Sequence, residues 1–129
     1  MTMTEKIRLV LQAYSTLQGE LENIDTELMT LEFTDRANAT EYWREDKYLY
    51  LIHSTDENGE RKREYIGADP VKIEQAQYRI TAHRLYCDLT KRRQAINYKL
   101  SAASYQLDLA LYSLNGKQRD LWGNDGYQS

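Results

Sequence analysis

Apolar residues recur near the start of the chain at Ile7, Val10, Tyr14, Leu17, Leu21, Ile24, Leu28 and Leu31. The steps alternate between three and four, an unbroken heptad seam. Such a seam marks a helix that packs one stripe against another helix. Thr2 stands three residues before Glu5, the spacing of a capping box. The pattern therefore predicts a helix over about residues 4–33. Gly19 is its one weak point, at roughly 1 kcal/mol relative to Ala.

A second and longer helix is predicted over about residues 70–115. Asp69 is a good N-cap, and Pro70 suits the first helical position. Asn115-Gly116 supplies a left-handed C-cap, and neither Pro nor Gly lies between Val71 and Leu114. Its apolar positions form more than one stripe. Early on they run Val71, Tyr78, Ala82, Leu85 and Leu89, with Ile73, Ile80 and Cys87 on another face. Later they run Ile96, Leu100, Ala103, Leu107, Ala110 and Leu114, with Tyr98, Ala102, Tyr105, Leu109 and Tyr112 opposite. A helix apolar on two faces is buried on two faces, and one partner helix covers only one of them. The expectation is a homodimer or higher homo-oligomer. Its candidate interface is Leu100, Leu107 and Leu114 with Tyr98, Tyr105 and Tyr112. A tyrosine stripe of this kind can also stack nucleic-acid bases, although interface packing is the commoner use.

Between the helices, Lys47-Tyr-Leu-Tyr-Leu-Ile-His-Ser54 is rich in β-formers and lacks helical period. Asn58-Gly59 is a strong turn signal, and Glu60–Ile66 alternates loosely before Gly67. A β-hairpin is predicted over about residues 48–66, its strands 48–54 and 60–66. Both faces of the first strand are apolar, and an isolated hairpin is marginal in water. Packing on a helix, or pairing with a second subunit's hairpin, would cover it. Residues 34–46 read as a connector. Residues 116–129, with Leu121-Trp122, read as a tail with a short docking turn. The fold class is mainly α with a small β-hairpin. It is a long antiparallel, coiled-coil-like helical hairpin carrying the β-hairpin at its bend, in a single domain over 1–129.

Composition narrows the class. The chain has 129 residues, 41% of them hydrophobic and 29% charged, with one Pro and six Gly, which excludes a disordered or collagenous chain. One cysteine excludes an intrachain disulfide framework. No apolar run reaches the 18 or so residues of a membrane span, and no signal peptide is visible, so a soluble cytoplasmic protein is expected. The net charge of −3 is unevenly spread. Residues 1–60 carry 5 Lys/Arg against 13 Asp/Glu, and residues 61–129 carry 12 against 7. Either the acidic part lies against the basic part, or the basic part meets phosphates.

Catalytic constellations are sparse. His83 and Cys87 stand one helical turn apart, but two ligands do not make a zinc site. On a face with Ile73 and Ile80, Cys87 reads as a buried, inert thiol. No Gly-rich phosphate loop, nucleophile elbow or zinc-protease helix motif is present. The expectation is a protein that is not an enzyme and uses no cofactor or metal. Two basic clusters, Arg61-Lys62-Arg63 and Lys91-Arg92-Arg93, are candidate nucleic-acid contacts. The alternative is that they pair with acidic neighbours and keep an edge strand soluble.

Tyr48-Leu49-Tyr50-Leu51, Asn58-Gly59, Arg63-Glu64-Tyr65-Ile66-Gly67 and Asp69-Pro70 together resemble a group of short prokaryotic proteins, some carried on mobile elements. Their pattern is a heptad helix, a tyrosine-rich strand, a turn, a basic strand and a second long helix. The resemblance spans roughly residues 45–90 and implies the helix–hairpin–helix layout, with no activity attached to it. The function these features suggest is a homo-oligomeric interaction or regulatory module that binds other proteins. The alternative is a nucleic-acid-associated accessory protein.

Overall fold

A computed structural model describes residues 1–116. The tail expected beyond Gly116, with Leu121-Trp122, lies outside the described residues. The elements in chain order are α1 (Met3–Glu32), β1 (Ala39–Arg44), β2 (Tyr48–His53), β3 (Arg63–Gly67) and α2 (Pro70–Asn115). The chain is mainly α, with two long helices and a three-stranded antiparallel sheet of order β1-β2-β3 between them. It divides into two compact units, one of residues 1–19 with the segment from Arg93 onward, the other of residues 20–92. α1 and α2 each run through both units.

Both helices begin where their capping residues dictate, and α2 also ends there. Thr2 Oγ1 accepts from the Glu5 amide at 3.1 Å, and Glu5 Oε2 accepts from the Thr2 amide at 3.3 Å, a complete capping box. Asp69 Oδ1 accepts from the Val71 amide at 3.1 Å across Pro70. At the far end Gly116 has φ +65° and donates its amide to the Tyr112 carbonyl, closing the last turn of α2.

The connector expected over 34–46 is corrected: its second half is strand β1, paired along its whole length with β2 from Ala39↔His53 to Arg44↔Tyr48. The reversal is tight. Lys47 donates its amide to the Arg44 carbonyl at 3.1 Å, and Glu45 and Asp46 have φ of 56° and 53°. Two central residues in the left-handed region make the turn whose twist suits a hairpin. β2 is thus the central strand, both of its edges paired within the chain, so it needs no second subunit's hairpin.

The β2–β3 turn is wider than the expected strand limits. β3 starts at Arg63, and Arg61 and Lys62 belong to the loop. Asp56 organises that loop: its Oδ1 accepts from the Asn58 and Glu60 amides, both at 2.9 Å, and its own amide bonds the Glu60 carbonyl. Where β3 ends, the register with β2 shifts, a bulge between Leu49 and Tyr50. Gly67 closes the bulge at φ +100°, and a Cβ there would meet the Tyr65 hydroxyl at 3.4 Å. Gly67→Ala is expected to cost on the order of 1–2 kcal/mol. A thermal midpoint a few degrees lower checks this, whereas an unchanged midpoint would show that the bulge tolerates a side chain.

The core of residues 20–92 is small and local. Leu49 and Leu51 of β2 are fully buried and pack with Ala37, Ala76 and Ile80, flanked by Ala39, Ile66 and Ile73. Alternation along β2 sends these leucines inward and Tyr48, Tyr50 and Ile52 outward. Ala76, small and one turn from Ile73 and Ile80, lets the strand leucines approach the helix backbone. Along α2 the sheet therefore selects the Ile73–Ile80 face, and the expected early stripe is corrected. Its Val71, Tyr78 and Leu85 are exposed, and only its Ala82 and Leu89 are buried.

Candidate functional site

The first candidate surface lies in the unit formed by residues 1–19 and 93 onward. Its seams do not end where burial ends. In α1 the heptad positions Ile24 and Leu31 are buried and Leu17, Leu21 and Leu28 half-buried, all in its C-terminal part. Ile7, Val10 and Tyr14, which continue the same seam, are exposed. In α2, Ile96 is the one buried residue among the described residues of this unit. Of the predicted interface residues, Leu100 is half-buried. Leu107 and Tyr105 are each 48% exposed, Tyr112 38%, Leu114 65% and Tyr98 78%. Leu9 and Leu11 on α1 and Leu109 and Leu111 on α2 add further apolar surface on other faces. Scattered exposed leucines are ordinary, but contiguous apolar seams on helices mark interaction surfaces.

The second candidate surface is the open side of the sheet, within residues 20–92. Tyr42, Tyr50 and Tyr65 are cross-strand neighbours, with ring centroids 6.2 and 5.0 Å apart and planes tilted by 58° and 57°. Tyr42 and Tyr65 are exposed and Tyr50 is half-buried. Arg44 stands opposite Tyr48 and Arg63 opposite Ile52 on this same side. The Arg63 guanidinium lies 6.0 Å from the centre of the Tyr42 ring, a cation–π contact. The carboxylates of the outer strands, Glu41 and Glu64, stand opposite the buried Leu51 and so on the other side.

Glu64 is the polar anchor of that inner side. It accepts from Arg79 through both oxygens, at 2.9 and 3.2 Å, and its Oε1 lies 2.8 Å from His53 Nε2. The Arg79 guanidinium holds the Glu64 carboxyl below its ordinary value, outweighing partial burial, with His53 adding in the same direction. The Arg79 pKa is raised in return. Arg79 Nε lies 3.3 Å from Oδ2 of the exposed Asp35 but completes no hydrogen bond, so that contact is only a weak coulombic one. An open groove of about 910 Å³ passes this pair, lined also by Thr34, Val71 and Tyr78. Glu64 and the two terminal nitrogens of Arg79 satisfy each other across the strand–helix junction, while Arg79 Nε is left without a hydrogen bond.

Arg36 fastens the start of the connector to α2. It donates through Nε to the Leu31 carbonyl at 2.9 Å and through a terminal nitrogen to His83 Nδ1 at 3.1 Å, and it stacks 3.9 Å above the Tyr86 ring. A guanidinium only donates, so His83 Nδ1 accepts and Nε2 carries the proton. That proton faces Cys87 Sγ at 3.4 Å. In this arrangement His83 has no free nitrogen with which to take the thiol proton, so the pair lacks the geometry of an activated nucleophile. Among the described residues no three His, Cys, Asp or Glu side chains converge as metal ligands, and no helix is long and apolar enough to cross a membrane.

The basic clusters fall in different settings. Arg61 reaches Thr55 Oγ1 from the loop, the Lys62 carbonyl accepts from the His53 amide, and Arg63 alone joins the tyrosine face. The strand expected from residue 60 starts only at Arg63, so of this cluster Arg63 alone stands on a strand. Lys91, Arg92 and Arg93 are exposed on α2. Sequence reasoning misses Tyr42 and Arg44 because residues 34–46 read as a connector. The signal was Thr40-Glu-Tyr-Trp-Arg44, five residues of β-forming and alternating character. The chain is a mainly α protein with two long helices, a three-stranded sheet between them in sequence, and two exposed candidate surfaces, one in each unit. Comparison of the chain with protein-family models, curated proteins and solved structures finds no match.

Proposed function

We propose that the protein is a non-enzymatic, self-associating interaction module, in which a second copy covers the apolar seams of residues 1–19 and 93 onward. The observation that carries this reading is that the two seams continue past the residues at which burial stops. Ile7, Val10 and Tyr14 on α1 and Leu107 and Leu114 on α2 are 43–65% exposed. Charge supports a second copy as the occupant. α1 carries two Lys/Arg against six Asp/Glu, whereas α2 carries seven against three. Helices of opposite charge alternate favourably in a bundle, so a copy brings both the apolar seam and the complementary rim. The assembled bundle then presents its remaining surfaces as a scaffold for other proteins.

The double variant Leu107→Glu, Leu114→Glu tests this reading. Two buried carboxylates in an apolar seam are not tolerated without partners, so the variant is expected to run at the monomer mass by light scattering. In a Trp122→Phe background, Trp43 in β1 should report an unchanged fold of the sheet unit in the same sample. A variant that keeps the wild-type assembly would show that these leucines are not at the contact.

A further inference from the structure

The open face of the sheet is sorted by chemistry as well as by burial. Strand alternation leaves Tyr42, Tyr48, Tyr50 and Tyr65 on it together with Arg44 and Arg63, while Glu41 and Glu64 take the side of the buried leucines. The face residues of the three strands thus include two guanidinium groups, with Lys47 Nζ 5.5 Å from the centre of the Tyr48 ring, while one carboxylate, Glu45 of the β1–β2 turn, borders the face beside Arg44, Tyr48, Tyr50 and Tyr65. Flat rings offered beside cations are what unpaired bases on a phosphate backbone need: the bases stack on the rings and the phosphates meet the cations. We propose that this face binds an unpaired nucleic-acid strand, bases stacking along Tyr42, Tyr50 and Tyr65 and phosphates contacting Arg44 and Arg63.

The ladder runs across the strands, so a bound strand crosses the sheet from β1 to β3. Duplex DNA presents its bases edge-on and offers no ring faces to stack, so the face discriminates against it. The site lies wholly within residues 20–92 and does not depend on self-association.

Fluorescence anisotropy on the full chain at low salt tests the proposal. The probes are labelled oligo(dT), labelled oligo(U), a mixed-sequence duplex of the same length and a polyglutamate peptide. At least one unpaired oligonucleotide should bind more tightly than the duplex and the peptide. If only one does, it names the sugar the face accepts. Tyr65→Ala and Tyr42→Ala should each weaken binding about tenfold. Tyr65→Phe, which keeps the ring, should bind like wild type and shows that the loss is one of stacking. Arg44→Ala with Arg63→Ala should lower the slope of log affinity against log salt by about 1.4. The proposal is overturned by failure of both oligonucleotides to bind, by duplex or peptide binding as tightly, or by unchanged affinity in the tyrosine and arginine variants. A fall in assembly mass in Tyr65→Ala would give the face to a second copy instead.

Discussion

Leu51→Ala is expected to remove about 2–5 kcal/mol of stability, a loss on the scale of the equally buried Leu49 and the largest scale a single truncation in residues 20–92 should reach. Leu51 is fully buried on the central strand, paired with Glu41 on one side and Glu64 on the other. Its side chain belongs to a core whose buried members number five, Ala37, Leu49, Leu51, Ala76 and Ile80. Two of those are alanines that have no longer side chain with which to fill a cavity. Hydrogen-bonded strands on either side fix the backbone, so the site cannot collapse onto the space left behind. A urea titration followed by Trp43 fluorescence, in a Trp122→Phe background that leaves one reporter, reads the effect. A midpoint within the error of wild type would mean that β2 does not carry this core.

Glu64→Gln is expected to cost about 1–2 kcal/mol near neutral pH and to flatten the acid limb of stability. The substitution keeps the shape but removes the charge that Arg79 grips through two hydrogen bonds. It leaves a half-buried guanidinium with only the out-of-line Asp35 beside it. The pH dependence has a definite sign. Arg79, and to a lesser degree His53, hold the folded carboxyl below the ordinary 4.5. The contribution of Glu64 is therefore fully present above pH 4.5 and is lost as pH falls through the lower folded value. Wild type and Glu64→Gln should differ at pH 7 and converge in acid. Parallel curves across that range would place the acid sensitivity elsewhere.

The helices were legible because their signals are local. A capping box, an Asp-Pro start and a Gly stop each act within one turn, and the heptad seam of α1 repeats often enough to exclude a strand. β2 was legible for the same reason, being a β-forming run ahead of Asn58-Gly59. β1 was not, because the turn that creates it places Glu45 and Asp46 at positive φ with no glycine to announce it. The face that α2 buries was not legible either. Val71-Tyr78-Leu85 and Ile73-Ile80-Cys87 are equally good stripes by period, and the choice between them belongs to the sheet that packs there. Pairings such as Arg79 with Glu64, or Arg36 with His83, depend on how a strand or connector meets a helix many residues away. Of the basic run at 61–63, sequence could not say that only Arg63 enters the strand. That depended on where the Asp56-centred loop hands over to β3.

If a second copy of the chain covers the exposed seams of α1 and α2, the protein self-associates in solution. Sedimentation equilibrium of the untagged protein over a range of micromolar concentrations tests it most directly. The chain mass is 15.2 kDa. A mass of about twice that or a higher whole multiple is expected, falling toward the single-chain value only on dilution. A mass of one chain at every concentration, with Ile7, Val10, Leu107 and Leu114 still open to solvent, would contradict it.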